Sequence, residues 1–333
     1  MNILVTGGAG FIGSHTIVEL LAGGHTVTVI DNFVNSNKKV FESLEKITGE
    51  SINFTESDVR DTEELVYLME ANCIEAVIHF AALKAVGESV QKPLEYYRNN
   101  IDGLLSVLEA MQRTKVPKLI FSSSATVYGD ADEMPITEDA PLKPATNPYG
   151  ATKQMAEQII QDACKSSGLQ AVLLRYFNPI GAHSSGLIGE LPLGTPNNLV
   201  PFVAQAAAGL RDTLTVFGND YETPDGSGVR DYIHVVDLAK AHVKSVDYLK
   251  EAEDKVTILN IGTGRGTSVL EVINTFEKVN NVKVPYTVGP RRPGDIATCY
   301  ASPAKAEKVL GWKANLSLEQ ALADTWKWQQ NNG

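Results

Sequence analysis

Short runs of apolar residues alternate with longer amphipathic stretches through the first half of the chain. The apolar runs predict strands over residues 3–5, 26–30, 52–54, 76–80, 119–121 and 171–175. The stretches between them predict helices over residues 10–21, 63–70, 94–113 and 148–165. Strands that alternate with helices are typical of a parallel sheet covered on both faces. We therefore expect an α/β fold with a doubly wound, Rossmann-type parallel sheet.

The pattern changes after Phe177. Glycine and proline become frequent between residues 179 and 201, the helical stretches shorten, and strand and helix patterns mix. The change predicts a domain boundary, with a first domain over residues 1–177 and a smaller mixed α/β domain over residues 178–333. Residues 230–262 have a strand and helix pattern of their own and are a candidate for return to the first sheet.

Composition narrows the choice of partners. The formal net charge is −11, which argues against nucleic acid or an anionic membrane surface as the main partner. The three cysteines, Cys73, Cys164 and Cys299, are too few and too scattered for a disulfide framework or a zinc site. We therefore expect free thiols, no bound metal and a cytoplasmic protein. Residues 1–5 show no signal-peptide pattern, and no apolar stretch has the length of a membrane span.

A glycine-rich segment follows the first strand and opens the first helix, where residues 6–13 read Thr-Gly-Gly-Ala-Gly-Phe-Ile-Gly. In this context Gly7 permits a tight turn, Gly10 lets the backbone approach a pyrophosphate, and Gly13 lets the helix pack closely. The free amides of the helix N-terminus can then bind the phosphates. Asp31 ends the second strand, where a carboxylate accepts hydrogen bonds from ribose hydroxyls and repels a 2′-phosphate. The pattern predicts a dinucleotide site that prefers NAD to NADP.

A run of three serines, Ser122, Ser123 and Ser124, lies just past the fifth strand. Ligands of doubly wound sheets bind at the carboxyl ends of the strands, so a hydroxyl there can donate a hydrogen bond to a substrate oxygen. Ser124 is furthest out and is the candidate for catalysis, while the other two serines satisfy backbone groups at the strand end.

Tyr149 and Lys153 lie four residues apart on the helix expected over residues 148–165, which places both side chains on one face. An ammonium group beside a phenol favours the phenolate, so we expect Lys153 to lower the pKa of Tyr149. Tyr149 is then a candidate general acid and base near neutral pH. Such pairs are also common on solvated helices, and it is the glycine segment and the serine run that favour a catalytic role.

The glycine segment, the serine run and the Tyr-x-x-x-Lys pair occur in the order typical of the extended short-chain dehydrogenase/reductase family, which this chain resembles. Longer strings resemble the UDP-glucose 4-epimerase family within it, and they cover residues 79–89, 122–128, 174–179, 196–199 and 228–235. The likeness spans nearly the whole chain. It implies an NAD-dependent isomerase of galactose metabolism that interconverts UDP-glucose and UDP-galactose through a 4-keto sugar. Tyr149 would take the 4-hydroxyl proton, and Lys153 would bind the nicotinamide ribose.

The resemblance also implies which residues contact the ligands. The positions that match family NAD contacts, beside Gly7, Gly10, Gly13, Asp31, Ser124, Tyr149 and Lys153, are Phe11, Ile12, Asn32, Ser36, Asp58, Val59, Phe80, Ala81, Ala82, Lys84, Asn99 and Phe177. The positions that match UDP-sugar contacts, beside Lys84, Ser124 and Tyr149, are Asn178, Asn198, Leu199, Thr215, Phe217, Arg230, Arg292, Asp295 and Cys299. Arg230 and Arg292 suit a diphosphate clamp. Family members pair through the helix that carries Tyr149 and the helix before the fifth strand, so the resemblance implies a homodimer.

Cys299 bears on which sugars fit. The family places a wall residue of the sugar site four positions after an aspartate, here Asp295, and some members carry tyrosine there. Cysteine is smaller, so the resemblance implies a pocket that also admits UDP-N-acetylglucosamine and UDP-N-acetylgalactosamine. A shift of one position would put Tyr300 into that wall instead.

Three other functions are weighed against this one. A nucleotide-sugar 4,6-dehydratase needs acidic groups beside the serine to expel the C6 hydroxyl, whereas residues 124–126 read Ser-Ala-Thr. A UDP-glucuronate decarboxylase or epimerase needs a cation for the sugar carboxylate, and the sequence assigns no residue to that task. A binding protein or redox sensor that kept only the NAD fold would have no reason to retain Ser124, Tyr149 and Lys153.

Overall fold

The computed structural model describes residues 1–292 and 295–332. Its largest layer is a parallel sheet of seven strands, which are β1 Asn2–Thr6, β2 Thr26–Asp31, β3 Asn53–Glu56, β4 Ala76–His79, β5 Lys118–Ser124, β6 Gln170–Tyr176 and β11 Val256–Ile261. Their order across the sheet is β11-β6-β5-β4-β1-β2-β3, with every neighbouring pair parallel. The doubly wound fold expected from the sequence is confirmed.

Helices cover both faces of this sheet because the strands are apolar on both sides. One face packs against α1 Phe11–Ala22, α2 Lys39–Thr48, α9 Val235–Tyr248 and α11 Ala304–Leu310. The other face packs against α3 Thr62–Ala71, α6 Gly103–Thr114 and α7 Pro148–Ser166. In β1, Ile3 and Val5 face the first group of helices, and Leu4 faces the second, as the two-residue period of a strand requires.

The region between β2 and β5 departs from expectation in two places. Helix α2 was not expected, because within a charged stretch only Phe41 and Leu44 are buried. The single helix expected over residues 94–113 is instead divided into α5 Pro93–Tyr97, a π-turn Arg98–Asp102 and α6, and a short helix that was not expected, α4 Val86–Gln91, precedes it. The π-turn lies where Asn100 hydrogen-bonds to both backbone groups of Leu83, which draws the chain away from regular helix.

The remaining elements form smaller sheets and a second core. They are β7 Asn178–Ile180, α8 Leu199–Ala207, β8 Leu214–Phe217, β9 Val229–Arg230, β10 Tyr232–His234, β12 Thr267–Ser268, α10 Val269–Asn280, β13 Tyr286–Gly289, β14 Thr298–Cys299 and α12 Leu318–Asn332. The expectation of short helices here was wrong, since α9, α10 and α12 have 14, 12 and 15 residues. Helices α8, α10 and α12 enclose the second core, which contains Val203, Phe276 and Leu322.

Strand β11 pairs in parallel with β6 and forms one edge of the large sheet. Helix α9, which precedes β11, packs against α1. Over residues 235–261 the chain therefore contributes to the layers that carry the glycine segment. In the described part of the chain, no helix combines the length and the apolar character needed to cross a lipid bilayer.

Candidate active site

The glycine segment forms a tight loop between β1 and α1. Gly7 has a φ of +71°, and a Cβ atom there would lie 2.7 Å from the backbone nitrogen of Ala81. A Cβ atom on Gly13 would lie 2.5 Å from the carbonyl oxygen of Gly7. Helix α1 begins at Phe11, and Gly10 has no side chain to cap it. The loop is therefore open to a pyrophosphate, with the first amides of α1, including those of Phe11 and Ile12, available to bind it.

Asp31 lies beside this loop at the end of β2. One carboxylate oxygen accepts a hydrogen bond from the Ala9 amide at 3.0 Å, and the other accepts from the Phe33 amide at 2.8 Å and from Ser36 Oγ at 3.0 Å. These donors fix the carboxylate where the ribose of a dinucleotide bound to the loop would lie. The sequence expectation for Asp31 and Ser36 thus has a geometric basis.

Other expected cofactor contacts surround the same loop. Asn32 donates to Asp58 at 3.1 Å, and a bidentate bond from Arg60 lowers the pKa of Asp58 to about 2. The chain at Phe80 and Ala81 packs against Gly7. The other expected contacts in this half of the chain also follow strand ends or line the helices beside them; they are Val59, Ala82, Lys84, Asn99 and Phe177.

Helix α7 carries the Tyr-x-x-x-Lys pair and begins where the sequence predicts. Asn147 caps the helix by accepting a hydrogen bond from the Gly150 amide at 2.9 Å, and Pro148 occupies the first turn. Lys153 is only 4% exposed, and its Nζ donates to the carbonyl oxygen of Ser122 at 2.5 Å. The same nitrogen lies 5.9 Å from the centre of the Tyr149 ring. The helix and the end of β5 are thereby joined at the catalytic pair.

The pKa values at the pair differ from the sequence expectation. Burial lowers the pKa of Lys153 to about 8, and the nearby carboxylate of Glu157 acts in the opposite direction. Burial raises the pKa of the Tyr149 phenol, and a hydrogen bond with Ser124 opposes that rise. The expected lowering of the Tyr149 pKa by Lys153 is not found, because the amino group bonds to Ser122 rather than to the phenol oxygen.

The three serines at the end of β5 have different surroundings. Ser122 and Ser123 are buried, whereas Ser124, the last residue of the strand, is partly exposed. Ser124 Oγ accepts hydrogen bonds from the amide and the hydroxyl of Thr126 at 3.2 and 3.0 Å. Thr126 supplies both hydrogen bonds that Ser124 Oγ accepts. The hydroxyl proton of Ser124 is therefore free to point towards Tyr149 or towards a ligand oxygen.

Two arginines expected to contact a diphosphate converge on one carboxylate. Arg292 makes a bidentate pair with Asp295 at 3.0 and 3.1 Å, and Arg230 lies 3.8 Å from the same side chain. The guanidinium of Arg292 also lies 5.3 Å from the ring centre of Phe217 on β8. Strand β8 carries Thr215 as well. Cationic and aromatic groups that suit a nucleoside diphosphate are therefore close together.

Glu190 is a site residue that sequence reasoning missed. One of its carboxylate oxygens accepts from Lys84 Nζ at 3.0 Å and from Asn198 Nδ2 at 2.7 Å. Lys84 follows β4, while Asn198 and Leu199 begin α8, so Glu190 joins the two sides of the site. No periodic pattern or motif marks Glu190 in its glycine- and proline-rich segment. Asn178, by contrast, begins β7, and its backbone N–H donates a hydrogen bond to the backbone carbonyl oxygen of Asp231.

Cys299, the last residue of the short strand β14, and Tyr300, which follows it, pack against different parts of the protein. Cys299 pairs in register with Arg230 on β9 and packs against a cluster that contains Val127, Tyr128 and Phe177. The ring of Tyr300 instead approaches Gly266, 3.2 Å from where a Cβ atom there would lie. The cluster that Cys299 contacts adjoins the turn Ala125–Tyr128, which directly follows Ser124.

Comparison with known proteins places this arrangement in a family. Residues 4–325 match the family model described as GDP-mannose 4,6 dehydratase. The UDP-glucose 4-epimerase of Bacillus subtilis is 56% identical over 333 residues, covering 100% of this chain and 98% of that protein. That of Pasteurella multocida is 54% identical with the same coverage. The chain belongs to the UDP-glucose 4-epimerase family.

Solved structures of this family share the fold closely. A UDP-glucose 4-epimerase from Stenotrophomonas maltophila with bound NAD and formylated UDP-arabinopyranose is 51% identical, with a TM-score of 0.97 over 99% of this chain and 98% of that one. The enzyme from Bifidobacterium longum in complex with NAD⁺ and UDP is 52% identical, with a TM-score of 0.96 over 100% and 99% of the two chains. Over residues 1–292 and 295–332, no group of three or more His, Cys, Asp or Glu side chains is arranged to hold a metal ion.

Proposed function

We propose that this chain catalyses the reversible 4-epimerisation of UDP-glucose and UDP-galactose with NAD as its cofactor. The observation that carries the proposal is the meeting of Ser124, Tyr149 and Lys153 at the end of β5. The glycine loop of β1 lies at the same edge of the sheet, because all seven strands are parallel. This arrangement supports the transfer of hydride and proton at a single sugar carbon.

The residues present fit an NAD molecule. Gly7 and Gly13 allow the tight backbone approach of the loop, since a Cβ atom at either would clash with neighbouring backbone, and Asp31 offers a fixed carboxylate to the ribose hydroxyls. When bound, NAD accepts hydride from C4 of the sugar and returns it to the opposite face. Relatives from Stenotrophomonas maltophila and Bifidobacterium longum are solved with NAD or NAD⁺ bound, which supports the same cofactor here.

Tyr149 moves the proton that balances the hydride. As the C4–H bond breaks with its electron pair, Tyr149 takes the 4-hydroxyl proton and the C4–O bond becomes a carbonyl. The same proton returns to the oxygen when the carbonyl is reduced, so the overall reaction is redox-neutral. Ser124 donates a hydrogen bond to that oxygen, and the Lys153 ammonium lowers the cost of forming a phenolate once the site is filled.

Inversion at C4 requires a firmly held nucleotide and a sugar that can turn. Arg230 and Arg292 supply positive charge for the diphosphate, while Asn198 and Leu199 lie at the N-terminus of α8. The side near Cys299 and Phe177 contains an apolar cluster and, among the described residues, carries no charged clamp like that of Arg230 and Arg292. A 4-keto sugar can therefore rotate about its bond to the diphosphate and present its other face.

The family model carries the name of a dehydratase, but the local chemistry favours epimerisation. Expulsion of the C6 hydroxyl needs an acid beside Ser124, and that place is occupied by Ala125 and Thr126. The hydroxyl of Thr126 donates to Ser124 and supplies no carboxyl proton.

The chain is proposed to work as two cooperating domains. Residues 1–177 would bind NAD together with the stretch 230–262, and residues 178–333 would otherwise bind the UDP-sugar. The pairing of β11 with β6 supports the assignment of that stretch to the first domain. All three cysteines are free thiols, which supports the proposed cytoplasmic location.

We further propose a homodimer formed through α6 and α7. Leu105 on α6 and Met155 on α7 are 47% and 48% exposed, and Leu94 on α5 is 82% exposed. Helix α5 contacts α7, and α6 and α7 pack on the same face of the large sheet, so these apolar side chains lie on helices of one layer. A second copy could cover them in a four-helix contact, as the family resemblance implies.

Replacing Tyr149 with phenylalanine should lower kcat by about a hundred- to ten-thousand-fold, because it removes the proton acceptor. Ser124→Ala should have a smaller effect, since it removes one hydrogen bond to the transferring oxygen. The measurement is conversion of UDP-galactose to UDP-glucose, with bound NAD and thermal unfolding as controls for an intact fold. Turnover of Tyr149→Phe at the parent rate would refute the assignment.

The purified protein should contain bound NAD and release no stoichiometric NADH during turnover, because the reaction is redox-neutral. Asp31→Ser should reduce the preference for NAD over NADP, since it removes repulsion of the 2′-phosphate. Reconstitution of the cofactor-free protein with each dinucleotide measures this preference. Net NADH release with UDP-galactose would indicate a dehydrogenase instead.

Cys299→Tyr should reduce turnover of UDP-N-acetylgalactosamine more than turnover of UDP-galactose, because the ring would fill space needed by the acetamido group. Tyr300→Cys is the matched control and should leave the ratio of the two rates unchanged, since Tyr300 faces Gly266. Equal activity of parent and Cys299→Tyr with the acetylated sugar would count against Cys299 as the wall residue.

Leu105→Glu and Met155→Glu should shift a dimer towards monomer in light scattering coupled to size-exclusion chromatography, because each buries a charge in the proposed contact. Leu210→Glu changes an equally exposed leucine away from these helices and should leave the mass unchanged. A monomeric parent, or variants that stay dimeric, would contradict the proposed interface.

A further inference from the structure

A buried ion pair lies one helical turn beyond the catalytic lysine. Tyr149, Lys153 and Glu157 follow one another at intervals of four on α7 and share a face of that helix. Glu157 is 1% exposed and Arg175 on β6 is 3% exposed. One oxygen of Glu157 accepts from Arg175 Nε at 2.9 Å and from Ser123 Oγ at 2.5 Å, and the other accepts from Arg175 Nη2 at 2.6 Å. Such a carboxylate acts only as an acceptor, which is its ionised form.

This pair joins every element that carries the catalytic groups. Through Ser123 it fixes the residue that precedes Ser124 on β5. Arg175 Nη1 donates to the hydroxyl of Tyr128 at 2.9 Å, and that hydroxyl donates to Asn260 on β11 at 2.7 Å. Helix α7, strands β5, β6 and β11, and the turn after Ser124 therefore meet at one network.

Stability alone does not account for this network. Moving two charges out of water costs free energy, and their mutual attraction often does no more than offset that cost. Apolar side chains of similar volume commonly stabilise a protein as well as a buried ion pair does. A role in the reaction is the alternative, and the position next to Lys153 suggests which role. Fully buried amines lose their proton readily, yet the proposed chemistry needs an ammonium group.

Among the described residues around Lys153, the remaining titratable groups are uncharged near neutral pH. They are Tyr149 on α7, His79 on β4 and Tyr176 on β6. Burial lowers the pKa of His79 to about 3 and raises the pKa of both tyrosines. The charge that favours the ammonium form of Lys153 is therefore that of Glu157, one helical turn away on α7 and ion-paired with Arg175.

We propose that Glu157 and Arg175 are positioning residues, which keep Lys153 in its ammonium form and hold the strand end that carries Ser124. The negative charge of Glu157 stabilises the ammonium form of Lys153. Arg175 orients Glu157 and partly offsets its negative charge. The inference rests on the proposed function, since it concerns the same site. Both side chains are buried inside the protein and are paired with each other.

The first test uses protein without ligands and does not depend on epimerase activity. The pKa of Lys153 is about 8 in the folded protein and about 10.4 in an unfolded chain. The unfolded chain therefore holds more protons between these values, so stability attributable to Lys153 should rise with pH across this window. Unfolding of the parent and of Lys153→Met by urea across this pH range isolates the contribution.

Two single substitutions should shift the pH at which the stability attributable to Lys153 begins to rise, and they should shift it in opposite directions. Glu157→Gln removes the carboxylate and leaves Arg175 unpaired, so the rise should begin about one pH unit lower. Arg175→Met leaves the carboxylate without its partner and should shift the rise to higher pH. Ser123→Ala is the matched control, because it removes one bond to Glu157 without changing a charge, and it should leave the window in place.

The second test is the pH profile of kcat with UDP-galactose. Activity should fall as Lys153 loses its proton. The alkaline limb of the profile should therefore shift to lower pH by about one unit in Glu157→Gln and to higher pH in Arg175→Met. In Glu157→Gln/Arg175→Met the two changes oppose each other, and the limb should return towards the parent. A purely structural role would lower kcat at all pH values without such opposite shifts.

Either single variant suffices to decide the matter if the other does not fold. A folded variant whose limb and stability window coincide with those of the parent, or move in the wrong direction, would overturn the proposal. Absence of epimerase activity in the parent would instead refute the proposed function, while the ligand-free unfolding data would still report on the ion pair.

Discussion

The hydrogen bond from the amino group of Lys153 to the carbonyl oxygen of Ser122 ties helix α7 to strand β5. Removal of this amine from water is costly, and the bond together with the nearby Glu157 carboxylate offsets part of the cost. Because α7 is anchored here, Tyr149 one turn earlier is brought beside Ser124. The Asn147 cap fixes where the helix starts and so fixes this register. Loss of the anchor would separate the proton carrier from the strand end where the substrate oxygen is expected.

A second constraint is the handling of positive charge in an acidic protein. The chain carries a net charge of −11, yet the proposed ligands are anionic. The cations that suit these ligands are held by carboxylates: Arg230 and Arg292 by Asp295, and Lys84 by Glu190. Such pairing orients the cationic groups before a ligand arrives and limits the entropy lost on binding. The ammonium of Lys153 is treated differently, since it is buried and stands next to an ion pair that stays inside the protein.

The sequence was most informative where function depends on local backbone geometry. Gly7, Gly13 and Asp31 act through one turn and one strand end, so their spacing predicted their arrangement before any tertiary contact was known. The alternation of apolar strands and amphipathic helices likewise determined the parallel sheet, and a parallel sheet brings its carboxyl ends to one edge. It was least informative about α2 and the π-turn, where a few buried side chains and the contacts of Asn100 override the local pattern.

The sequence by itself therefore determined the fold class and the geometry of the glycine loop, because each follows from periodicity or from spacing within one element. Only the tertiary structure decided the pKa values of Tyr149 and Lys153. Burial sets the pKa of Lys153 and Tyr149, and burial depends on strands far away in the chain. The tertiary structure also decided that Glu190 links Lys84 to Asn198, and that Cys299 and Tyr300 pack against different neighbours. Arg175 lies within the apolar strand β6, and only the packing of α7 on the sheet identifies Glu157 as its partner.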